Sequence, residues 1–210
     1  MLATSVYVAQ ACTLEDMTAI GAFRYRCYLA EGMITPQPQK SFIDEYDGFP
    51  NAHVFKVSLC NQIVGTIRIH ILNKATHTSA TMAAFADILM PRIDAGQTLI
   101  DGARFAIAPE LGPLRLVVAR RTLGLYAKVA EFNAATYGVA AVSEDRVKVY
   151  NRLYGFTKLS EPRSYNGLTK KLVLMGLEKT HKTRHVAKSN GQADDRVIAC
   201  GGGGGGAPPR

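Results

Sequence analysis

The sequence predicts an α/β protein: a central mixed β-sheet flanked by helices on both faces. Three observations carry that expectation. Two strand-like runs, 53–59 and 63–71, are joined by only three residues, so they pair antiparallel. A third run, 98–108, is followed by a long helical pattern and then a short buried strand at 139–143, the order of a βαβ-like unit. Antiparallel pairing before a parallel crossover gives a mixed sheet, and the intervening helices must cover its faces.

The elements follow in order. Residues 5–11 read as a short strand. Thr13, Leu14, Glu15 and Asp16 resemble a capping box, with Asp in the usual Glu/Gln place. A helix is expected from there to about Leu29, with Met17, Ile20, Phe23 and Cys27 at helical spacing and Gly32 beyond its end. Pro36, Pro38, Gly48 and Pro50 make 35–51 mostly loop. In 63–71, Ile67, Ile69 and Ile71 alternate with Arg68 and His70, so Arg68 points away from one apolar face of its strand. A short helix is expected at 82–89, stopped by Pro91. Gly112 and Pro113 open the long helix, with Pro at its first position and Leu114, Val118, Leu125, Val129 and Phe132 along one face. A further helix from about 145 to 154 ends at Gly155. The last strands are expected at 156–159 and 168–176, with Asn166-Gly167 as their turn.

These elements fill one domain, residues 1–177. From 178 to 210 the apolar pattern stops, and six consecutive glycines at 201–206 mark a Gly-rich tail that is expected to be disordered. The 47% hydrophobic and 20% charged content excludes a fibrous or wholly disordered chain. No apolar run approaches the ~20 residues of a membrane helix, so no integral membrane segment is expected. Residues 1–13 lack a basic n-region and a long apolar stretch, which argues against a signal peptide. Cys12, Cys27, Cys60 and Cys200 have neither paired nor metal-type spacing, which fits a reducing cytoplasm and no metal site. The net charge is +8, of which +3 lies in the tail and +5 in the body. That excess suggests an acidic partner: nucleic acid, an acidic carrier protein or a phosphate-bearing cofactor.

Three segments concentrate charge. The first runs Arg24-Tyr25-Arg26-Cys27-Tyr28 and is followed by Asp44-Glu45-Tyr46-Asp47. The second is Gly65-Thr66-Ile67-Arg68, and the third Asp101-Gly102-Ala103-Arg104-Phe105-Ala106-Ile107. On a regular strand Asp101 and Arg104 face opposite sides; a bulge at Gly102 would bring them together. A sheet covered on both faces cannot bury three Arg and three Asp singly, so they should pair. Seen in isolation, the group also reads as a structural salt-bridge cluster pinning the 35–51 loop to the sheet. His53 and His70 on the strands read as packed residues more readily than as bases.

These segments, in this order and spacing over about residues 20–110, resemble the acyl-homoserine lactone synthases. They resemble still more the related N-acyl amino acid synthases of the GNAT acyltransferase superfamily. Residues 139–156, ending in Arg152-Leu153-Tyr154-Gly155-Phe156, resemble the closing motif of GNAT folds. The resemblance implies a GNAT-type fold and an acyltransferase without a bound cofactor or metal. Its co-substrate would be an acyl-phosphopantetheine thioester, on acyl carrier protein or coenzyme A. Carried over position by position, the charged cluster falls on Arg24, Asp44, Asp47, Arg68, Asp101 and Arg104, with Tyr28 and Phe105 beside it.

Two departures separate the alternatives. The lactone synthases place Glu where this chain has Asp101, and usually Trp near the end of the first helix. This chain has no Trp, and Met33 stands near that place. The segment leading into the long helix, Pro109-Glu110-Leu111-Gly112-Pro113, has one glycine, two prolines and an acid. Coenzyme A enzymes of the superfamily carry a Gly-rich pyrophosphate cradle here, and each proline removes a donor. A carrier-bound donor presents a single phosphodiester and needs the cradle less. The tyrosine that many GNAT enzymes use to protonate the thiolate falls on Asn151; Tyr150 is displaced by one and also reads as core. Arg120-Arg121 and Lys170-Lys171 are candidate contacts for an acidic carrier, or simply solvated faces.

The sequence is therefore read as an N-acyltransferase moving a fatty acyl group from an acyl-carrier-protein or coenzyme A thioester to the amine of an amino acid. Asp101 would take the proton, directly or through a water. Arg104 or Arg68 would hold the acceptor carboxylate, and backbone N–H groups of the central strand would polarise the thioester carbonyl. A splay between that strand and 139–143 would admit the pantetheine arm. No nucleic-acid partner is expected. The alternatives are a lactone synthase using S-adenosylmethionine and a non-catalytic GNAT-like binding module.

Overall fold

The computed structural model describes residues 6–165 and 167–178. The expected tail after its first residue, Glu178, and Asn166 of the expected turn lie outside them. Seven strands form one sheet: β1 (Val6–Gln10), β2 (Ala52–Leu59), β3 (Gln62–Leu72), β4 (Leu99–Ile107), β5 (Tyr137–Ser143), β6 (Thr157–Lys158) and β7 (Leu172–Glu178). Their spatial order is β1-β2-β3-β4-β5-β7-β6. All neighbours pair antiparallel except β4 and β5, which are parallel and joined by the long helix. The mixed sheet is thus present, and the 98–108 segment is its central strand.

Four helices cover it: α1 (Leu14–Ala30), α2 (Ala80–Asp94), α3 (Leu114–Phe132) and α4 (Val147–Tyr154). On one face α2 packs on Leu72, Leu99, Tyr137, Val139, Leu172 and Leu174. The opposite face seats α3 on Phe55, Ile67, Ile69, Ile71 and Ile100, while α4 and Phe156 cover Ala140, Val142, Val173 and Met175. The period-two reading of β3 holds: its isoleucines face α3, and Arg68 and His70, both fully buried, face the α1–α2 side. Thr13 and Asp16 form a reciprocal capping box, which satisfies otherwise orphaned N–H groups of α1.

Four expectations are corrected. α2 is longer than 82–89 and continues through Pro91 to Asp94; its irregular residue is Phe85 (φ −135°, ψ 30°). Leu89 and Ile93 on either side of Pro91 are both buried, so core packing outweighs the hydrogen bond that proline forgoes. Pro113 is the residue before α3 rather than its first position. Along α3, Val118 and Leu125 face the core, but Leu114 is 45% and Phe132 91% exposed; they are the first and last residues of the helix, outside its packed middle. Finally, β7 begins at Leu172, and residues 159–171 form a longer connection than a hairpin turn.

Candidate active site

The parallel ladder between β4 and β5 runs only from Leu99–Tyr137 to Gly102–Ala140. Beyond that point β5 follows β7, while β4 stays with β3. A cavity opens in the resulting splay, lined by Gly102 to Phe105 on one side and by Ala141 to Ser143 on the other, with Tyr28, Tyr150 and Tyr165 around it. Gly102 sits at the parting point. A Cβ there would lie 2.9 Å from the Tyr126 ring, whose hydroxyl donates to Ile100 O at 2.9 Å. Only glycine lets that ring support the splay from below.

The irregularity in β4 lies at Arg104 rather than at Gly102. The pairing with β3 shifts between Thr66–Ala106 and Arg68–Ala103, and Arg104 takes φ +52°. On an unbroken strand Arg104 would share the α3 side with Gly102. The bulge turns it to the α1–α2 side. Its guanidinium there stacks 4.5 Å from Phe42 and meets Asp44 through Nε at 3.0 Å and through Nη2.

Asp44 and Asp47 belong to one 3-10 turn, 45–47, at the end of the long loop. Asp44 accepts from Tyr46 N (3.0 Å), and Asp47 accepts from Asp44 N (3.1 Å). The turn fixes both carboxylates beneath three guanidiniums. Arg24 Nη1 donates to Asp47 Oδ1 at 2.8 Å, Arg68 Nη1 lies 3.2 Å from the same oxygen, and Arg68 also pairs with Asp44. Burial alone would lift the Asp44 carboxyl, but Arg104 and Arg68 overcome it and hold it at about 2. Burial also lowers Arg24, against the pull of Asp47. Three cations thus meet two anions, and Arg24 Nε and Nη2 and Arg68 Nε find no acceptor.

Asp101 stands apart from this cluster, contrary to the expectation that it pairs with an arginine. It is fully buried and accepts from Thr81 Oγ1 at 2.9 Å. Its second oxygen has no partner and lies 3.9 Å from His70 Nδ1, which also has none. His70 Nε2 is 3.0 Å from the Tyr46 carbonyl, so that nitrogen carries the proton. Burial pushes the His70 imidazole down despite Asp101, which favours the neutral ring. Thr81 Oγ1 is also 2.9 Å from Tyr165 Oη.

Tyr28 packs on Phe42 (5.0 Å between ring centres), and burial raises its phenol against the pull of Arg104. Phe105 packs toward the α3 side while lining the cavity. Tyr150 lines the cavity too, with its ring edge-on to Tyr154 and Phe156, and burial pushes its hydroxyl well above the ordinary tyrosine range. At the cavity mouth Glu31 receives Arg115 and Arg146, each at 3.1 Å, while Lys170 donates to the Glu31 backbone carbonyl at 2.9 Å. Lys148, Lys170 and Lys171 line an adjoining depression.

The structure therefore gathers Arg24, Asp44, Asp47, Arg68 and Arg104 into one network, sets Tyr28, Phe105 and Tyr150 around the cavity, and places Asp101 behind it. Sequence reasoning missed Thr81, Tyr165 and, in the cluster around Lys170, the residues Glu31, Arg115 and Arg146. None of these belongs to a charged motif or a local spacing. Among the described residues no group of three or more His, Cys, Asp or Glu side chains could hold a metal ion, and no helix is long and apolar enough to cross a membrane.

Comparison with known proteins gives the chemistry a family. The profile of the N-acyl amino acid synthase FeeM family matches residues 19–178. Among solved structures the chain is similar to FeeM, an N-acyl amino acid synthase from uncultured soil microbes, at 17% identity and a TM-score of 0.72, covering 89% of this chain and 98% of that one. It is similar to the AHL synthase LasI at 15% identity and a TM-score of 0.65, over 92% of this chain and 98% of the other. A CoA-dependent acyl-homoserine lactone synthase, BjaI, aligns at 12% identity and a TM-score of 0.60, over 88% and 89%. At these identities the solved structures bear on the fold alone, which is of the GNAT type. No curated protein sequence matches.

Proposed function

This chain belongs to the FeeM family of N-acyl amino acid synthases, and on that premise we propose that it transfers a fatty acyl group from an acyl carrier protein to the amine of an amino acid in the cytoplasm. That it is an acyltransferase follows from the family. The observation that carries the acceptor assignment is the charge imbalance beside the cavity. Three guanidiniums contact two carboxylates, and Arg104 is the one of the three that lines the cavity. A substrate carboxylate would complete that balance, and the planar fork of Arg104 suits it.

With the carboxylate on Arg104, the amine lies toward the thioester held in the splay. The nitrogen attacks the acyl carbonyl, the C–N bond forms, and the C–S bond breaks to release the pantetheine thiolate. Gly102 to Phe105 of β4 line the cavity, and backbone N–H groups of that segment polarise the carbonyl as charge builds on its oxygen. The amine proton passes toward the buried carboxylate of Asp101.

The mouth supports a carrier-bound donor. Arg115, Arg146 and Lys170 converge there around Glu31, and Lys148 and Lys171 adjoin beside Glu144 and Asp145, so five cations against three acids leave a net positive rim for an acidic helix and a single phosphodiester. The segment before α3 is poor in phosphate-binding N–H groups: Pro109 to Leu111 form a 3-10 turn and Glu110 pairs with Arg26 at 3.2 Å. Turnover of matched acyl-carrier-protein and acyl-coenzyme A donors, each at low and high salt, tests the donor. The carrier should be the better substrate and its binding should weaken with salt. Equal use of both, with no salt effect, would restore a coenzyme A donor.

A further inference from the structure

We propose that Tyr165 and Thr81 form a two-hydroxyl relay that carries the acceptor's proton from the cavity to Asp101, a role that rests on the acyl-transfer reading above. Asp101 is fully buried, and the cavity is lined by its successors Gly102 to Phe105 and by Tyr165. A carboxylate in that place cannot meet the amine directly, yet a group that lines the cavity is connected to it.

The hydrogen bonds give the connection a direction. Asp101 as a carboxylate only accepts, so the single proton of Thr81 points to its Oδ1 at 2.9 Å. Thr81 then has only lone pairs for its other neighbour, and Tyr165 must donate to it, at 2.9 Å. The chain therefore runs from Tyr165 through Thr81 to Asp101. Arg104 lies 5.9 Å from the Tyr165 ring centre, so an amino acid whose carboxylate rests on Arg104 presents its amine beside Tyr165.

The far end is prepared for the proton. Asp101 Oδ2 and His70 Nδ1 are both buried without a partner and 3.9 Å apart. His70 Nε2 is committed to the Tyr46 carbonyl, which leaves Nδ1 with a lone pair aimed at Asp101. While Asp101 is ionised, these two acceptors face one another. The proton arrives from Thr81 at Oδ1, and once Asp101 is neutral Oδ2 no longer sets a full negative charge against the His70 lone pair.

As nitrogen bonds to the acyl carbon, its proton passes to Tyr165 Oη, the Tyr165 proton to Thr81 Oγ1, and the Thr81 proton to Asp101. Both hydroxyls end neutral and Asp101 ends as the acid. The thiolate leaves, and the same relay run backwards, or solvent at the cavity mouth, returns one proton to it. Tyr165 is the group that touches substrate; Thr81 and His70 act through their neighbours.

The test uses the full chain with whichever acyl thioester it turns over, and compares wild type with Thr81→Val, Thr81→Ser and Tyr165→Phe. Valine matches threonine in shape and removes only the hydroxyl. Thr81→Val and Tyr165→Phe should lower kcat by about 10²-fold, the usual worth of a general base, with donor KM held and the folded circular-dichroism spectrum kept, and Thr81→Ser should recover most of it; Thr81→Val also lowers the melting temperature, because it leaves the buried Asp101 carboxylate without a donor. Rates in mixtures of light and heavy water should curve for wild type, because several protons move together, and become linear in Thr81→Val. Near-normal kcat in folded Thr81→Val, or an equal loss in Thr81→Ser, overturns the relay while leaving acyl transfer intact. A wild-type chain that releases no thiol from any acyl thioester overturns the transfer reading, and the relay with it.

Discussion

Asp44→Asn tests how the buried charge cluster holds the long loop to the sheet. Oδ1 of Asp44 faces Arg68 and Tyr46 N, and Oδ2 faces Nε and Nη2 of Arg104. Asparagine supplies one acceptor and one donor, so either orientation of its amide sets N–H against N–H. Removing one partner of a buried ion pair typically costs 3–5 kcal/mol. About half of that is legible in the titration of the carboxyl. Asp44 is held at about 2, against a value near 4 when unfolded, a difference of roughly 2 kcal/mol. The folded value is the lower one, so the ionised form stabilises the fold; its contribution is full above about pH 5 and fades as pH falls toward 2. Urea unfolding of wild type and Asp44→Asn should therefore differ by 3–5 kcal/mol near neutral pH, and the gap should shrink by about 1 kcal/mol at pH 3. A loss under about 1 kcal/mol at neutral pH, or a gap that does not narrow on acidification, would refute the reasoning.

Gly102→Ala places a methyl against the Tyr126 ring and should cost about 1–3 kcal/mol, read as a lower melting temperature. Arg104→Lys keeps the charge but loses the fork, so the acceptor KM should rise about tenfold while the donor KM stays near wild type; an equal rise in both would deny the arginine its place on the acceptor. Paired substitution Arg146→Ala and Lys170→Ala should raise KM for an acyl carrier protein about tenfold and flatten its salt dependence, with a smaller effect on acyl-coenzyme A.

The parts of the fold that depend on near neighbours were legible. The capping box at Thr13, the alternation of Ile67, Ile69 and Ile71 against Arg68 and His70, and the left-handed Gly155 (φ +74°) after α4 are each decided within a few residues. The passage of α2 through Pro91 was not, because burial of Leu89 and Ile93 against distant strands decides it. The cluster showed the same split. Its five paired members sit in recognisable motifs, but the bulge was expected at the glycine and occurs at Arg104, where pairing with Asp44 across 60 positions compensates a left-handed backbone. The bulge does bring Arg104 to the face that carries Asp101, but Asp44 takes its guanidinium and Asp101 stays outside the ionic network. The hydrogen-bond partner of Asp101, Thr81, carries no local signal, and Tyr165 joins Thr81 from 84 positions away.

Products formed from an acyl carrier protein thioester with free amino acids, and with the same amines lacking the carboxylate, decide whether the arginine-lined cavity takes an amino acid. Mass spectrometry alongside thiol release should show one N-acyl amino acid per thiol and little acylation of the decarboxylated amines. Equal acylation of both sets, or amide formation that requires S-adenosylmethionine, would contradict the assignment of the arginine-lined cavity to an amino acid.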